Sequence, residues 1–226
     1  MFDLGNTLVG HWGGQEDVFQ KILNSVGIQK SAESVKKALA ETEKEFKDNS
    51  FRSLYGKMPC DEYWNEWDSC VLKHLNLPKN DKLAKYIQAE WFNYLDLKAY
   101  PDAIETLSKL KQKGLKTGLI TTAYEEEITV ILGKAKIQKK LFDVIVGADT
   151  IEKVKPHPDV FAYALSKLEV KPEETLFIGD SIDADYEGAE NAGLTAVLVQ
   201  RTQTNVRKNK HLNIIKNLEE IFKYIN

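Results

Sequence analysis

Several polar residues in this chain stand where apolar runs end. Asp3 closes the opening MFD, Thr121 follows GLI, Lys155-Pro156 comes after FDVIVG, and LFIGDSIDAD carries Asp180 and Asp185. Carboxylates can attack electrophiles and hold hard cations. An ammonium can offset anionic charge, and a hydroxyl can bond an anion. In an open α/β sheet, ligands gather beyond the carboxyl ends of the strands, so residues far apart in sequence can meet there.

In this order and spacing, the set resembles the haloacid dehalogenase superfamily, and the resemblance covers essentially the whole chain. Phosphatases of that superfamily use an aspartate nucleophile, a Ser or Thr, a Lys and an acidic pair with Mg²⁺. The resemblance implies that Asp3 attacks phosphorus and forms an aspartyl-phosphate that water then hydrolyses. Asp3, the backbone carbonyl of Gly5 and Asp180 would hold Mg²⁺, with Asp185 one layer further out, orienting a ligand or water. Lys155, kept extended by Pro156, would offset charge on the nucleophile and the phosphoryl group. Thr121 would bond a phosphate oxygen, helped by backbone N–H groups at the following helix start. Asn6, Thr7 and Thr122 complete the expected phosphate contacts. His157 reads as a loop residue outside the site.

The chain departs from the family pattern at two functional positions. Gly5 stands where the phosphatases usually carry a second aspartate, the general acid/base, a role worth ~10²–10⁴-fold in rate. Thr122 stands where Asn is frequent, which removes an amide donor. Asn6 also replaces a common Gly, and Asn is the non-glycine residue that best tolerates positive φ, so the loop geometry should survive. His11, a cap residue or the substrate itself could supply the missing proton, and the sequence does not choose among them.

The elements that position these residues come in two textures. From about Gly13 to Asp96 the pattern is helical, with apolar faces Val18/Ile22/Val26, Val35/Leu39/Phe46, Trp64/Trp67/Val71/Leu75 and Leu83/Ile87/Trp91. Ser31 and Asn80 are expected N-caps, and Gly27 and Pro78 fall between segments. From Tyr100 onward helices alternate with short apolar strands: a helix over Ala103–Lys113, then LKTGLITT, a helix from Glu125, FDVIVG, a helix over Pro158–Leu168, TLFIGD, a helix from Asp183, and TAVLVQ. That alternation predicts parallel βαβ units. The expected fold is therefore α/β: a Rossmann-like parallel core from residues 1–12 and 97–226, with an inserted four-helix cap over 13–96. Paired linkers at His11–Gly14 and Asp96–Tyr100 would permit hinge closure. His11, Trp12, Phe51, Arg52, Tyr55 and Lys57 lie at the hinge or on irregular cap segments and are expected to set specificity. Trp64, Trp67 and Trp91 fit helical packing. Only two residues precede Asp3, so the first strand is either unusually short or this chain starts later than its relatives.

Composition narrows the class. The 226 residues, 42% hydrophobic and 29% charged, suit a soluble globular protein, and a net charge of −3 gives no global pull toward nucleic acid. Arg201, Arg207, Lys208, Lys210 and His211 form a basic stretch that reads as a solvated loop. Cys60 and Cys70 are the only cysteines, ten residues apart on one expected helix, where a mutual bridge is unfavourable. Two free thiols, no membrane-length apolar run and no signal-like N-terminus make cytoplasm the expected location. The expected partner is a small phosphorylated molecule, without nucleic acid or membrane, in a monomer or homodimer. The expected function is Mg²⁺-dependent phosphomonoester hydrolysis. Carbon–halogen hydrolysis by the same aspartate, or a catalytically weak binding protein, are the alternatives that Gly5 keeps open.

Overall fold

The computed structural model describes residues 1–201 and 212–225, and for Trp12 the backbone only. The chain divides into two compact units, Met1–Gly10 with Leu97–Asn226, and His11–Asp96.

The first unit is built on a parallel sheet. β3 (Gly118–Ile120) pairs with β4 (Val144–Val146), and β5 (Leu176–Gly179) pairs with β6 (Thr195–Val199), which pairs with β7 (Ile214–Ile215). Met1–Asp3 joins the two halves. Phe2 bridges Leu119 on one side and Ile178 on the other, both in parallel sense. Phe2 N–H donates to Gly118 at 2.8 Å, and Asp3 N–H to Ile178 at 2.8 Å. Met1–Asp3 thus holds the central position of the sheet.

Apolar residues serve both faces of this sheet, as a covered parallel sheet requires. Phe2, Leu119, Ile178, Val197 and Val199 share one cluster with α5 (Ala103–Gln112), α6 (Glu125–Lys134) and the turn Leu218–Tyr224. Met1, Ile120, Phe177, Ala196 and Leu198 share the other with α7 (Pro158–Leu168) and α8 (Gly188–Asn191). Phe161 of α7 is fully buried and meets Phe177 edge-on at 5.1 Å. Truncating such a ring to Ala costs about 3–5 kcal/mol. His157, outside the expected site, caps α7 by accepting from Asp159 N–H at 3.2 Å, with Pro158 in the first turn.

The second unit holds α1 (Gln15–Ser25), α2 (Ala32–Asp48), α3 (Cys60–His74) and α4 (Asp81–Tyr94). Contacts run α1–α2, α2–α3, α3–α4 and α4–α1, a closed four-helix arrangement. Ser31 accepts from Ser34 N–H and Asn80 from Leu83 N–H, each satisfying a donor that the helix start leaves open. Val26 does not join the apolar face expected of it. α1 ends at Ser25, so Val26 has left the helix and is 42% exposed. Trp67 and Trp91 pack on the unit's core, and Trp64 packs edge-on against Tyr55, Tyr63 and Trp67. Cys60 and Cys70, both on α3, form no disulfide among the described residues.

Three strands escaped sequence reading. β1 (Val9–Trp12) and β2 (Asp96–Ala99) pair with each other where linkers were expected. β7 is too short to show an alternation. Among the described residues, no helix is long and apolar enough to cross a membrane. Of the basic stretch, Arg207, Lys208, Lys210 and His211 lie outside the described residues. Arg201 is not solvated as expected. It donates to Asp102 at 2.7 Å and to the Thr7 carbonyl at 2.6 Å, and its guanidinium lies 4.0 Å from the Tyr100 ring centre. Burial needs that pairing, because an unpaired charge inside costs several kcal/mol.

Candidate active site

Parallel register brings the chemistry to one edge. Because Phe2 aligns with Leu119 and Ile178, Asp3 leaves the sheet beside the ends of β3 and β5, next to Thr121 and Asp180. The chain then turns back sharply. Leu8 and Val9 N–H both donate to the Leu4 carbonyl, and Asn6 N–H donates to Val9 at 2.7 Å. Asn6 takes φ +53°, the left-handed conformation anticipated for it. Gly5 needs no such freedom, and nothing lies within 4 Å of where its Cβ would stand. The place of the missing second carboxylate is open space.

Lys155 is the hub. Its ammonium donates to Asp3 Oδ1 and to Asp185 Oδ1, both at 2.6 Å, and lies 5.4 Å from the Phe177 ring centre. Its side chain is 2% exposed, and the Lys155–Pro156 peptide is cis. Asp185 uses its other oxygen to accept from Ser181 N–H at 2.9 Å. Ser181, not Asp183, caps the wide helical turn Ile182–Glu187 by accepting from Ala184 N–H. β5 therefore delivers Asp180 at its end, and the turn after it folds Asp185 back onto Lys155. This return needs Gly179, since any Cβ there would overlap the Asp185 carboxyl.

Carboxylate oxygens of Asp3, Asp180 and Asp185 lie within 4.8 Å of one another, and Asp180 is the most solvent-open of the three. Burial, opposed by Lys155 and reinforced by Asp185, raises the Asp3 carboxyl from 3.8 to about 7. Asp180 is also raised, by burial first and then by Asp185. Burial works to lower Lys155, but the two carboxylates outweigh it, and the lysine holds its proton more firmly than usual. Three carboxylates facing one ammonium leave the cluster short of positive charge. An all-oxygen donor set of this kind fits a hard divalent cation such as Mg²⁺.

Other expected contacts are placed differently. Thr121 is buried, and its hydroxyl accepts from Ala123 N–H at 3.2 Å. At the helix start beyond it, two of the backbone donors are already engaged. Tyr124 N–H is taken by Glu127 and Glu125 N–H by Asp149, and three glutamates fill the first turn of α6. Thr122 is exposed. Thr7, expected at phosphate, is wholly buried in the tight turn, and its hydroxyl has no hydrogen-bond partner among the described residues. The Asn6 side chain bonds Asp180.

Among the expected specificity residues, His11 is exposed and its Nδ1 lies 3.2 Å from the Gly13 carbonyl. Arg52 is held by both oxygens of Glu43, and Phe51 packs against Phe46. Tyr55 belongs to the aromatic group around Tyr63, and Lys57 is exposed. The Trp12 side chain lies outside the described residues. Sequence reading put Arg201, which holds the carbonyl of Thr7, on a solvated loop, and it missed Ser181, hidden by the acidic residues around it.

The family model of haloacid dehalogenase-like hydrolases matches residues 1–199. The chain belongs to this family. Curated relatives include pyrophosphatase PpaX of Bacillus mycoides, 41% identical over 103 residues, 46% of this chain and 47% of that protein. PpaX of Bacillus thuringiensis is 39% identical over the same length. The matched stretch spans about half the length of these relatives. Solved structures share the fold along nearly the whole chain. The putative hydrolase YfnB of Bacillus subtilis, bound to magnesium, has a TM-score of 0.74 at 20% identity, covering 100% of this chain and 96% of that one. L-2-haloacid dehalogenase of Xanthobacter autotrophicus has a TM-score of 0.68 at 19% identity, covering 100% and 98%. The fold thus hosts both phosphate and halide chemistry, and only the site's residues can separate them.

Proposed function

We propose that this hydrolase is a Mg²⁺-dependent phosphatase of small phosphorylated molecules whose leaving group departs without help from an enzymic acid. The observation that carries the reading is the Asp3–Lys155–Asp185 chain with Asp180 alongside. Halide displacement needs only a nucleophile, whereas this cluster gathers two further carboxylates. Mg²⁺, held by Asp3, Asp180 and the Gly5 carbonyl, would supply positive charge for an anionic phosphoryl group. Asp3 attacks phosphorus as a carboxylate, and the bond from phosphorus to the leaving oxygen breaks with its electron pair. Lys155 keeps Asp3 aimed and ionised, and Asp185 keeps Lys155 in place. Water then hydrolyses the acyl phosphate and restores Asp3.

Open space at Gly5 leaves the departing oxygen to carry its own charge. Phosphate and carboxylate leave readily on those terms and an alkoxide does not. Pyrophosphate and acyl phosphates are therefore favoured, in keeping with the pyrophosphatase name of the curated relatives. Rates across phosphates of graded leaving-group acidity, with and without Mg²⁺, test the reading. Wild type should show a steep dependence, Gly5→Asp a shallower one, and Asp3→Asn no turnover. A flat series in wild type that steepens in His11→Ala would relocate the acid to His11. Metal-independent halide release from 2-haloacids, with no phosphatase activity, would establish the dehalogenase reading instead.

A further inference from the structure

A second cluster of ligand-type side chains lies within the helical unit. Glu41 and Glu45 sit one turn apart on α2, and Cys70 and His74 one turn apart on α3, so each pair shares a helix face. The two helices pack together, and ligand atoms of Glu45, Cys70 and His74 all lie within 4.8 Å of one another. His74 Nε2 is 3.0 Å from Glu45 Oε2, while its Nδ1 is 3.1 Å from Glu41 Oε2. Cys70 is buried, and the His74 side chain is 18% exposed.

We propose that Glu45, Cys70 and His74 form a site for a borderline-soft divalent metal of the Zn²⁺ type, separate from the carboxylate cluster of the first unit. A thiolate with an imidazole and one carboxylate is a donor set that Zn²⁺ accepts and Mg²⁺ does not. Glu41 is placed where such sites carry a supporting acid. A carboxylate on Nδ1 fixes the tautomer and leaves Nε2 with its lone pair toward the metal. Three protein ligands leave a fourth position for water, consistent with partial exposure. Lys73 now bonds both oxygens of Glu45 at 2.9 Å, but its side chain is 64% exposed. An exposed pair of that kind is weak, so a divalent ion can displace it. Binding would release the Cys70 thiol proton, which burial holds more tightly than usual, so affinity should rise with pH. The ion would tie α2 to α3, making the helical unit's stability depend on metal supply.

The alternative is a plain ion-pair network, with a protonated His74 shared between Glu41 and Glu45. Titrating the full chain with Co²⁺ in saturating Mg²⁺ separates the two. A bound thiolate gives a near-ultraviolet sulfur-to-cobalt charge-transfer band, which the all-oxygen cluster cannot produce. One equivalent should develop the band, and Zn²⁺ should erase it. Cys60→Ser should keep it and Cys70→Ser should lose it. His74→Gln and Glu41→Gln should weaken Co²⁺ binding, the latter by about 10–100-fold. Zn²⁺ should also raise the melting temperature of wild type and not of Cys70→Ser. Absence of the band in wild type, or its survival in Cys70→Ser, overturns the proposal. Should Cys70→Ser fail to fold, unchanged affinity in both His74→Gln and Glu41→Gln would overturn it equally.

Discussion

On the proposed reading, Asp3 is under opposing demands: attack and metal binding need its carboxylate, while the buried setting favours the acid. Its folded value of about 7 stands above the ordinary 3.8. A raised acid stabilises the fold least where it must ionise. The metal-free protein should therefore carry no penalty below pH 3.8, then lose stability progressively as pH rises through about 7, by on the order of a few kcal/mol. Bound as proposed, Mg²⁺ would select the ionised form and offset that loss. The rise in melting temperature on adding saturating Mg²⁺ should be larger at pH 8 than at pH 5, as calorimetry would show. An equal rise at both pH values would mean that Asp3 is already ionised without metal. Asp3, Lys155, Asp180 and Asp185, which the structure brings together, were legible because their order and spacing resemble the family pattern; Lys155, well past the end of β4, is announced by no strand end. The burial of Thr7 was not legible, because a reversal over Leu4–Val9 sets side-chain direction through hydrogen bonds that no residue pattern displays.

At the scale of elements, the join between β5 and the turn after it does the most for the site. Gly179 lets the backbone pass against the Asp185 carboxyl, and Asp185 holds Lys155. Gly179→Ala is expected to push Asp185 off Lys155, lower kcat by at least ~10-fold and cost about 1–3 kcal/mol of stability. Gly5→Ala, facing open space, should leave the melting temperature nearly unchanged. Equal melting temperatures for the two variants would refute the packing argument. Helices were the most readable elements, since Ser31, Asn80 and Pro158 mark their starts and apolar periodicity marks their faces. The strands β1, β2 and β7 were not readable, because VGHW and DLKA mix polar with apolar residues and β7 is a pair, whereas β3 to β6 lie in apolar runs. The acidic first turn of α6 shows a related limit: the glutamates were visible, but not that Glu127 and Asp149 would occupy the helix-start donors.

At the scale of the whole molecule, the alternation of helix and strand after Tyr100 was enough to indicate a parallel sheet with helices on both faces. The order of its strands was not, because that order depends on where the opening residues insert. Met1–Asp3 lies in the middle of the sheet, held between segments more than a hundred residues further along. This arrangement has a temporal consequence. A loop that long is slow to close, and neither flanking strand can receive the opening segment until it exists. On a ribosome, Phe2 can pair with β3 once Leu119 has emerged, but the Asp3 amide finds its acceptor only when Ile178 has followed. Pulse-labelled hydrogen exchange during refolding should accordingly find the Asp3 amide among the last to gain protection, after those of α2 and α3. On the proposed reading of Asp3 as nucleophile, chains that end before Ile178, however compact, would be chemically silent.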